Sequence, residues 1–207
     1  MHKNFIVTNF GYRIQSYHPK SDIQMGMGNT DADILVVQPH QKMPERDAIT
    51  GALKNFGMLG DAYRATSMIV DFSDAPLATD PTTQIEYPDL IRQNRRGEKL
   101  STGPEINRRY LLELIEMVRP LVVVACGLDA TTMLRKRKIR SFDSIAGKKF
   151  QVEDLTSCVF YATLDPTSYG FARAAPSLKA QGKQEWTKLA EIYTKLKEQR
   201  EKDRWAS

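Results

Sequence analysis

Cysteine is scarce: Cys126 and Cys158 are the only two in 207 residues. Two thiols cannot by themselves build a four-thiolate zinc site or hold an iron–sulfur cluster. Both sit in apolar, strand-like runs, so they are expected to be reduced and buried, as in a reducing compartment. Long apolar runs are missing too, and none approaches the roughly 20 residues that cross a bilayer. The opening residues, Met1-His2-Lys3-Asn4-Phe5, carry no apolar signal core. The expected setting is therefore the cytoplasm, with no membrane association. No glycine-rich stretch has the spacing that cradles a nucleotide phosphate. No His/Asp/Glu cluster has metal-ligand spacing, and no serine sits in a nucleophile elbow. Neither a metal nor a cofactor is expected. No internal repeat or linker divides the chain, so residues 1–207 are expected to form a single domain, and a monomer.

What is present is a set of short, fully apolar runs. The central one is Leu121-Val122-Val123-Val124-Ala125-Cys126-Gly127, β-branched residues closed by a glycine. It has the pattern of a strand buried on both faces, as in a parallel sheet. Arg119-Pro120 stops the amphipathic helix before it (Pro104 to Val118), and a new helix starts just after it. Ile34–Val37 predicts a first strand, Thr66–Val70 a second and Cys158–Thr163 a fourth, with Lys148–Val152 as a small edge strand. Pro44-Glu45-Arg46-Asp47 opens a helix with Ile49, Leu53 and Phe56 on one face. A last amphipathic helix runs from Lys183 to Lys202, with Trp186, Leu189, Ile192, Tyr193 and Leu196 inward. Residues 1–31 predict an irregular or short-stranded lead-in, and Ala75 to Gly103 a long surface connection. Helices alternating with buried strands make an α/β fold, in which chemistry gathers beyond the carboxyl ends of the strands.

Three of those ends run into polar loops: Gln38 to Lys42, Asp71 to Asp74, and Asp165 to Arg173. The formal net charge is +5, and Leu134 to Arg140 is the densest basic run; both suit a polyanionic partner.

Several stretches together resemble the uracil-DNA glycosylase superfamily. They are Asp33-Ile34-Leu35-Val36-Val37 before a Pro-containing polar loop, and Pro104-Glu105-Ile106 opening the helix to Arg119-Pro120. Then come the Val-rich strand into Gly127-Leu128-Asp129-Ala130-Thr131, and Ala162-Thr163-Leu164-Asp165-Pro166-Thr167. The resemblance covers about residues 32–200. It implies a three-layer sandwich, a central four-stranded parallel sheet flanked by helices, with DNA, single- or double-stranded, entering at the strand ends.

The resemblance also assigns the loops, and each departs from the family pattern. Gln38 stands where the family has glycine, and His40 or Gln41 stands where the family handles the attacking water. Histidine can orient or deprotonate water. Asp71 stands at or beside the asparagine that reads the flipped base. An ionised carboxylate only accepts hydrogen bonds, which suits the exocyclic amine of cytosine and mismatches uracil O4. Asp165-Pro166-Thr167 replaces His-Pro-Ser, and a carboxylate there can stabilise the sugar cation, accept from a hydroxyl or bind sugar substituents. Ile49 lies near the aromatic that stacks on the base, leaving room for a bulkier one. Lys42, Thr167, Ser168 and Arg173 are assigned to DNA contacts, and Tyr169 and Phe171 to wedging the stack as the base flips.

The function implied is a monofunctional DNA N-glycosylase. It hydrolyses a base from DNA to leave an abasic site, acting on a modified cytosine such as the glucosylated hydroxymethylcytosine of phage DNA, in antiviral defence. Uracil-excising repair and a catalytically inactive DNA-binding relative are the alternatives.

Overall fold

A computed structural model describes residues 3–19, 21–38, 43–71, 103–135, 139, 141–153, 155–166 and 175–206, with backbone alone at 43–47, 71, 103–104 and 206. In chain order the elements are helix α1 (Lys3–Tyr17), strands β1 (Asp22–Ile23), β2 (Met27–Gly28) and β3 (Ile34–Gln38), and helix α2 (Met43–Asn55). Strands β4 (Ala62–Thr66) and β5 (Val70–Asp71), helix α3 (Gly103–Val118), strand β6 (Val122–Cys126) and helix α4 (Gly127–Arg135) follow. Strands β7 (Lys148–Val152) and β8 (Leu155–Thr163) and helix α5 (Pro176–Ala206) complete the order.

The strand alternation sorts side chains into two cores. Leu35, Val37, Tyr63, Ala65, Val123, Ala125 and Phe160 enter one, covered by α1, α3 and α4. Ile34, Val36, Ala62, Val122, Val124, Cys126 and Tyr161 enter the other, covered by α2 and α5. Successive residues on a strand point to opposite faces, and because both faces are covered β6 and the Ile34–Val37 run of β3 are apolar throughout. The result is an α/β architecture of three layers.

The sheet departs from the expected four parallel strands. Among the described residues it has six, in the order β2-β4-β3-β6-β8-β7. The inner four are mutually parallel, whereas β2 and β7 add antiparallel to the two edges. The β7–β8 edge is a hairpin, its two strands consecutive and joined by a short connection, whereas β2 reaches β4 across the intervening β3 and α2.

Two further expectations are corrected. Lys3–Tyr17 is a helix, not an irregular or short-stranded lead-in, and the expected short strands are confined to β1 and β2. Val7, Phe10 and Ile14 recur at helical spacing and are buried in α1. Phe10 meets Tyr110 of α3 edge-on at 6.1 Å, Lys3 Nζ donates to Val118 O at 2.8 Å, and Arg13 pairs with Glu113. The second parallel strand is Ala62–Thr66, not Thr66–Val70. Val70 and Asp71 instead form β5, which pairs antiparallel with β1 in a separate two-stranded sheet, Asp71 opposite Asp22. The connection from Ala75 toward Gly103 lies outside the described residues, as does most of the basic run beyond Arg135.

Helix α3 ends as the dipeptide Arg119-Pro120 predicts. Arg119 takes a left-handed φ of 52°, its N–H donates to Ile115 O at 2.8 Å, and Pro120 cannot continue the helix. Helix α5 is longer than its amphipathic pattern, and buries Trp186, Leu189 and Tyr193. Its far half is tied to the amino ends of the strands. Arg200 makes two bonds to Asp33, Nη1 to Oδ1 at 2.6 Å and Nη2 to Oδ2 at 2.7 Å. Tyr193 donates its hydroxyl to Asp61 at 2.6 Å, and Lys197 approaches the same oxygen at 3.2 Å. The Tyr193 hydrogen bond, followed by Lys197, holds the Asp61 carboxyl below the usual carboxylate range. Among the described residues no helix is long and apolar enough to cross a membrane.

Candidate functional site

Strand β3 continues through α2 to β4 on one side, while β6 and β8 lie on its other side. The strand order therefore reverses between β3 and β6. In open α/β sheets the crevice beyond the carboxyl ends at such a reversal is the usual ligand site. The register pairs Gln38 with Thr66 and Cys126 with Thr163, so the parallel strands end nearly level.

Each end is held by its own local chemistry. Gln38 is buried at the end of β3, and its carbonyl accepts from Ser67 N–H at 2.8 Å. Thr66 Oγ1 accepts from Met68 N–H at 3.1 Å, which turns the chain away from β4. Gly127 turns β6 directly into α4 with a φ of +83°, a conformation that glycine adopts without steric cost. Thr131 is buried in the first turns of α4 and donates to Gly127 O at 2.7 Å. The amino end of α4, with its unpaired N–H groups and partial positive charge, thus begins at the strand ends. Asp165 follows β8 by two residues and reaches the same place: a Cβ on Gly127 would lie 3.5 Å from Asp165 Cβ. A buried amide residue, a helix amino terminus and a carboxylate residue therefore lie along the carboxyl edge of the sheet. Such a set can orient a polar ligand and stabilise charge on it.

The cysteines add no nucleophile. Cys126 is fully buried, and burial, then the negative charges of Asp165 and Glu185, pushes its thiol well up. Cys158 is half-buried and its thiol is pushed up to about 11 by burial. Both are free thiols. Among the described residues no group of three or more His, Cys, Asp or Glu is placed to hold a metal ion.

Two residues that shape the strand ends have no sequence signal as site residues. Glu185 of α5 is buried and accepts from Thr163 Oγ1 at 3.0 Å and from Leu164 N–H at 2.7 Å, both through Oε2. Asn107 of α3 is buried against Val70, just before Asp71. In a sequence each looks like one more polar residue on an amphipathic helix.

Of the residues that the sequence nominates, the structure brings Gln38 and Asp165 to the carboxyl edge. Asp71 lies in β5, five residues beyond the end of β4, and only its backbone is described. Ile49 is fully buried in the core between α2, α5 and the sheet, together with Ile34, Val36 and Leu53. His40, Gln41, Lys42, Thr167, Ser168, Tyr169, Phe171 and Arg173 lie outside the described residues. No protein-family model matches the chain, and no curated protein matches it.

Proposed function

We propose that this chain is a monofunctional DNA N-glycosylase with a uracil-DNA-glycosylase-like fold, acting on a cytosine-type modified base. The observation that carries the reading is the convergence of Gln38, Gly127 and Asp165 at the carboxyl ends of parallel strands, beside the point where the strand order reverses. Gly127 belongs to the stretch that resembles that superfamily, while Gln38 and Asp165 stand at its site-loop positions with altered residues. The net charge of +5 adds a polyanion-friendly balance.

In this reading a nucleotide leaves the stack and its base enters the crevice. Asp71 accepts from the exocyclic amine of a cytosine-type base, which uracil cannot offer. His40 or Gln41 orients the water that attacks the sugar carbon. The bond between that carbon and the base nitrogen breaks, the base leaves with the bonding electrons, and the proton given up by the water restores the neutral free base. Asp165 stabilises the cationic sugar while the bond is broken. The products are a free base and an abasic site. A chain that removes glucosylated hydroxymethylcytosine would act against phage DNA, a role in antiviral defence.

Oligonucleotides carrying uracil, cytosine or glucosylated hydroxymethylcytosine, incubated with the protein and then treated with alkali, test the reading. Strand cleavage at the modified cytosine is the expected result. Cleavage at uracil alone would replace the substrate assignment with uracil excision. Salt-sensitive DNA binding without any abasic product would leave a catalytically inactive DNA-binding protein.

A further inference from the structure

We propose that Glu185 is a positioning residue: a buried clamp, reaching across from α5, that sets the end of β8 and with it the placement of Asp165. This rests on the glycosylase reading above for its catalytic consequence, but the clamp itself is a matter of geometry.

The Glu185 side chain accounts for three donors. Oε2 accepts from the Thr163 hydroxyl at 3.0 Å and from the Leu164 N–H at 2.7 Å, and Oε1 accepts from Gln181 Nε2 at 3.0 Å. The backbone is held as well, because Tyr161 donates its hydroxyl to Glu185 O at 2.9 Å. A second strand end closes against the same group. Gly147, which leads into β7 with a φ of +69°, lies so close that a Cβ there would meet Glu185 Cγ at 3.1 Å. Lys188, one turn further along α5, donates to Gly147 O at 2.9 Å. One carboxylate therefore fixes Thr163 and Leu164, the two residues that precede Asp165.

Burying a carboxylate is costly unless its lone pairs are satisfied, so its retention here calls for a task that an apolar residue cannot perform. Leu164 is past the end of β8, where the ladder supplies no acceptor for its N–H. Glu185 supplies that acceptor and so continues the order of the strand into the loop. The work requires acceptors, not negative charge. Glutamine offers one oxygen to both Thr163 and Leu164, and its amide can face Gln181 once the Gln181 amide turns over.

The experiment compares Glu185→Gln, Glu185→Ala and Thr163→Val in the full chain, by amide hydrogen exchange over residues 161–166 and by single-turnover excision of whichever base the wild type removes. The expected result is loss of exchange protection in E185A, partial loss in T163V and retention in E185Q. In the reaction, E185A is expected to lower the maximal rate about 100-fold, the scale of a misplaced catalytic group, with the substrate concentration for half-maximal rate unchanged and E185Q close to wild type. T163V keeps the carboxylate and removes one bond, so it reads the clamp even if E185A fails to fold. Unchanged exchange in both T163V and E185A overturns the clamp, whether or not the wild type excises a base. An excising wild type whose rate collapses in E185Q overturns it too, because the charge would then be what matters. A wild type that excises nothing defeats the glycosylase reading, and the exchange comparison still decides the clamp.

Discussion

Asn107 takes both hydrogen-bonding groups of a single backbone residue: Val70 N–H donates to Asn107 Oδ1 at 2.7 Å, and Asn107 Nδ2 donates to Val70 O at 3.0 Å. The side-chain amide thus stands in for a neighbouring strand. On the other side of β5 the ladder to β1 is continued by Gln24 N–H, which donates to Ile69 O at 2.7 Å. Replacing Asn107 with leucine leaves a buried donor and a buried acceptor without partners, each costing about 1–3 kcal/mol. Asn107→Leu is expected to lower the unfolding free energy by about 2–6 kcal/mol, measured by urea titration. Asn107→Asp keeps the acceptor and should fall between leucine and wild type. A leucine variant as stable as wild type would show that Val70 finds other partners.

His18 gives the fold an acid-sensitive point. It is 2% exposed, its Nε2 lies 3.0 Å from the Tyr110 hydroxyl, and burial lowers its pKa from 6.5 to about 4. The folded chain therefore holds His18 neutral while the unfolded chain takes up the proton. The stability contribution is complete above about pH 6.5 and is lost as the pH falls toward 4, by up to about 1.4 kcal/mol per pH unit. Urea unfolding at pH 7.5, 6 and 5 should show this slope, and it should be flatter in His18→Gln. Parallel slopes in the two proteins would assign the acid sensitivity to other groups.

Gly127 links the strand that anchors the sheet to the helix that begins at the site. Its φ of +83° is strained for any residue with a Cβ, although the space beside Asp165 admits one at ordinary contact distance. The expected cost of Gly127→Ala is about 1–2 kcal/mol, from backbone conformation rather than crowding. Any relaxation of the turn moves the amino end of α4 relative to Asp165, so excision should fall by more than the loss of folded protein. An unchanged unfolding midpoint would show that alanine adopts the turn freely.

Base selectivity is where Asp71 is expected to act. Asp71→Asn adds a donor to a group that only accepts. The ratio of cytosine-type to uracil excision should move toward uracil by about 5–150-fold, the range that one to three kcal/mol of base discrimination spans. Competition between the two oligonucleotides in one tube measures it directly. An unchanged ratio would remove Asp71 from base reading.

The strands easiest to find in the sequence were those with the least choice. Ile34–Val37 and Val122–Cys126 are apolar on both faces because helices cover both, so no register or partner information was needed to place them. The strand β4 was harder, since Ala62-Tyr63-Arg64-Ala65-Thr66 mixes small, aromatic and charged residues, and the stronger β pattern of Thr66–Val70 drew the expectation downstream. The Asn, Gly and Ser residues around Phe10 concealed α1, whose stability comes from Val7, Phe10 and Ile14 packing on the core. Gln38 and Asp165 could be placed at the strand ends because a strand end is a local feature. Glu185 and Asn107 could not, because each acts on a residue more than 20 positions away, and that distance is closed only by the fold.

Helix α5 touches the sheet at opposite edges. Glu185 meets the carboxyl end of β8, and Arg200 meets Asp33 just before β3. Fifteen helical residues rise about 22 Å, enough to span the roughly 16 Å run of a five-residue strand and the turns at its ends. The helix therefore behaves as a fixed-length gauge laid across the sheet, and both of its marks must fall on the correct side at once. Removing one residue between them would rotate one mark by about 100° relative to the other. The loop that carries Asp165 thus inherits its alignment partly from an ion pair at the far rim of the sheet. Substitution of Arg200 or Asp33 is therefore expected to change amide exchange at Leu164 and Asp165, at the opposite end of the strands.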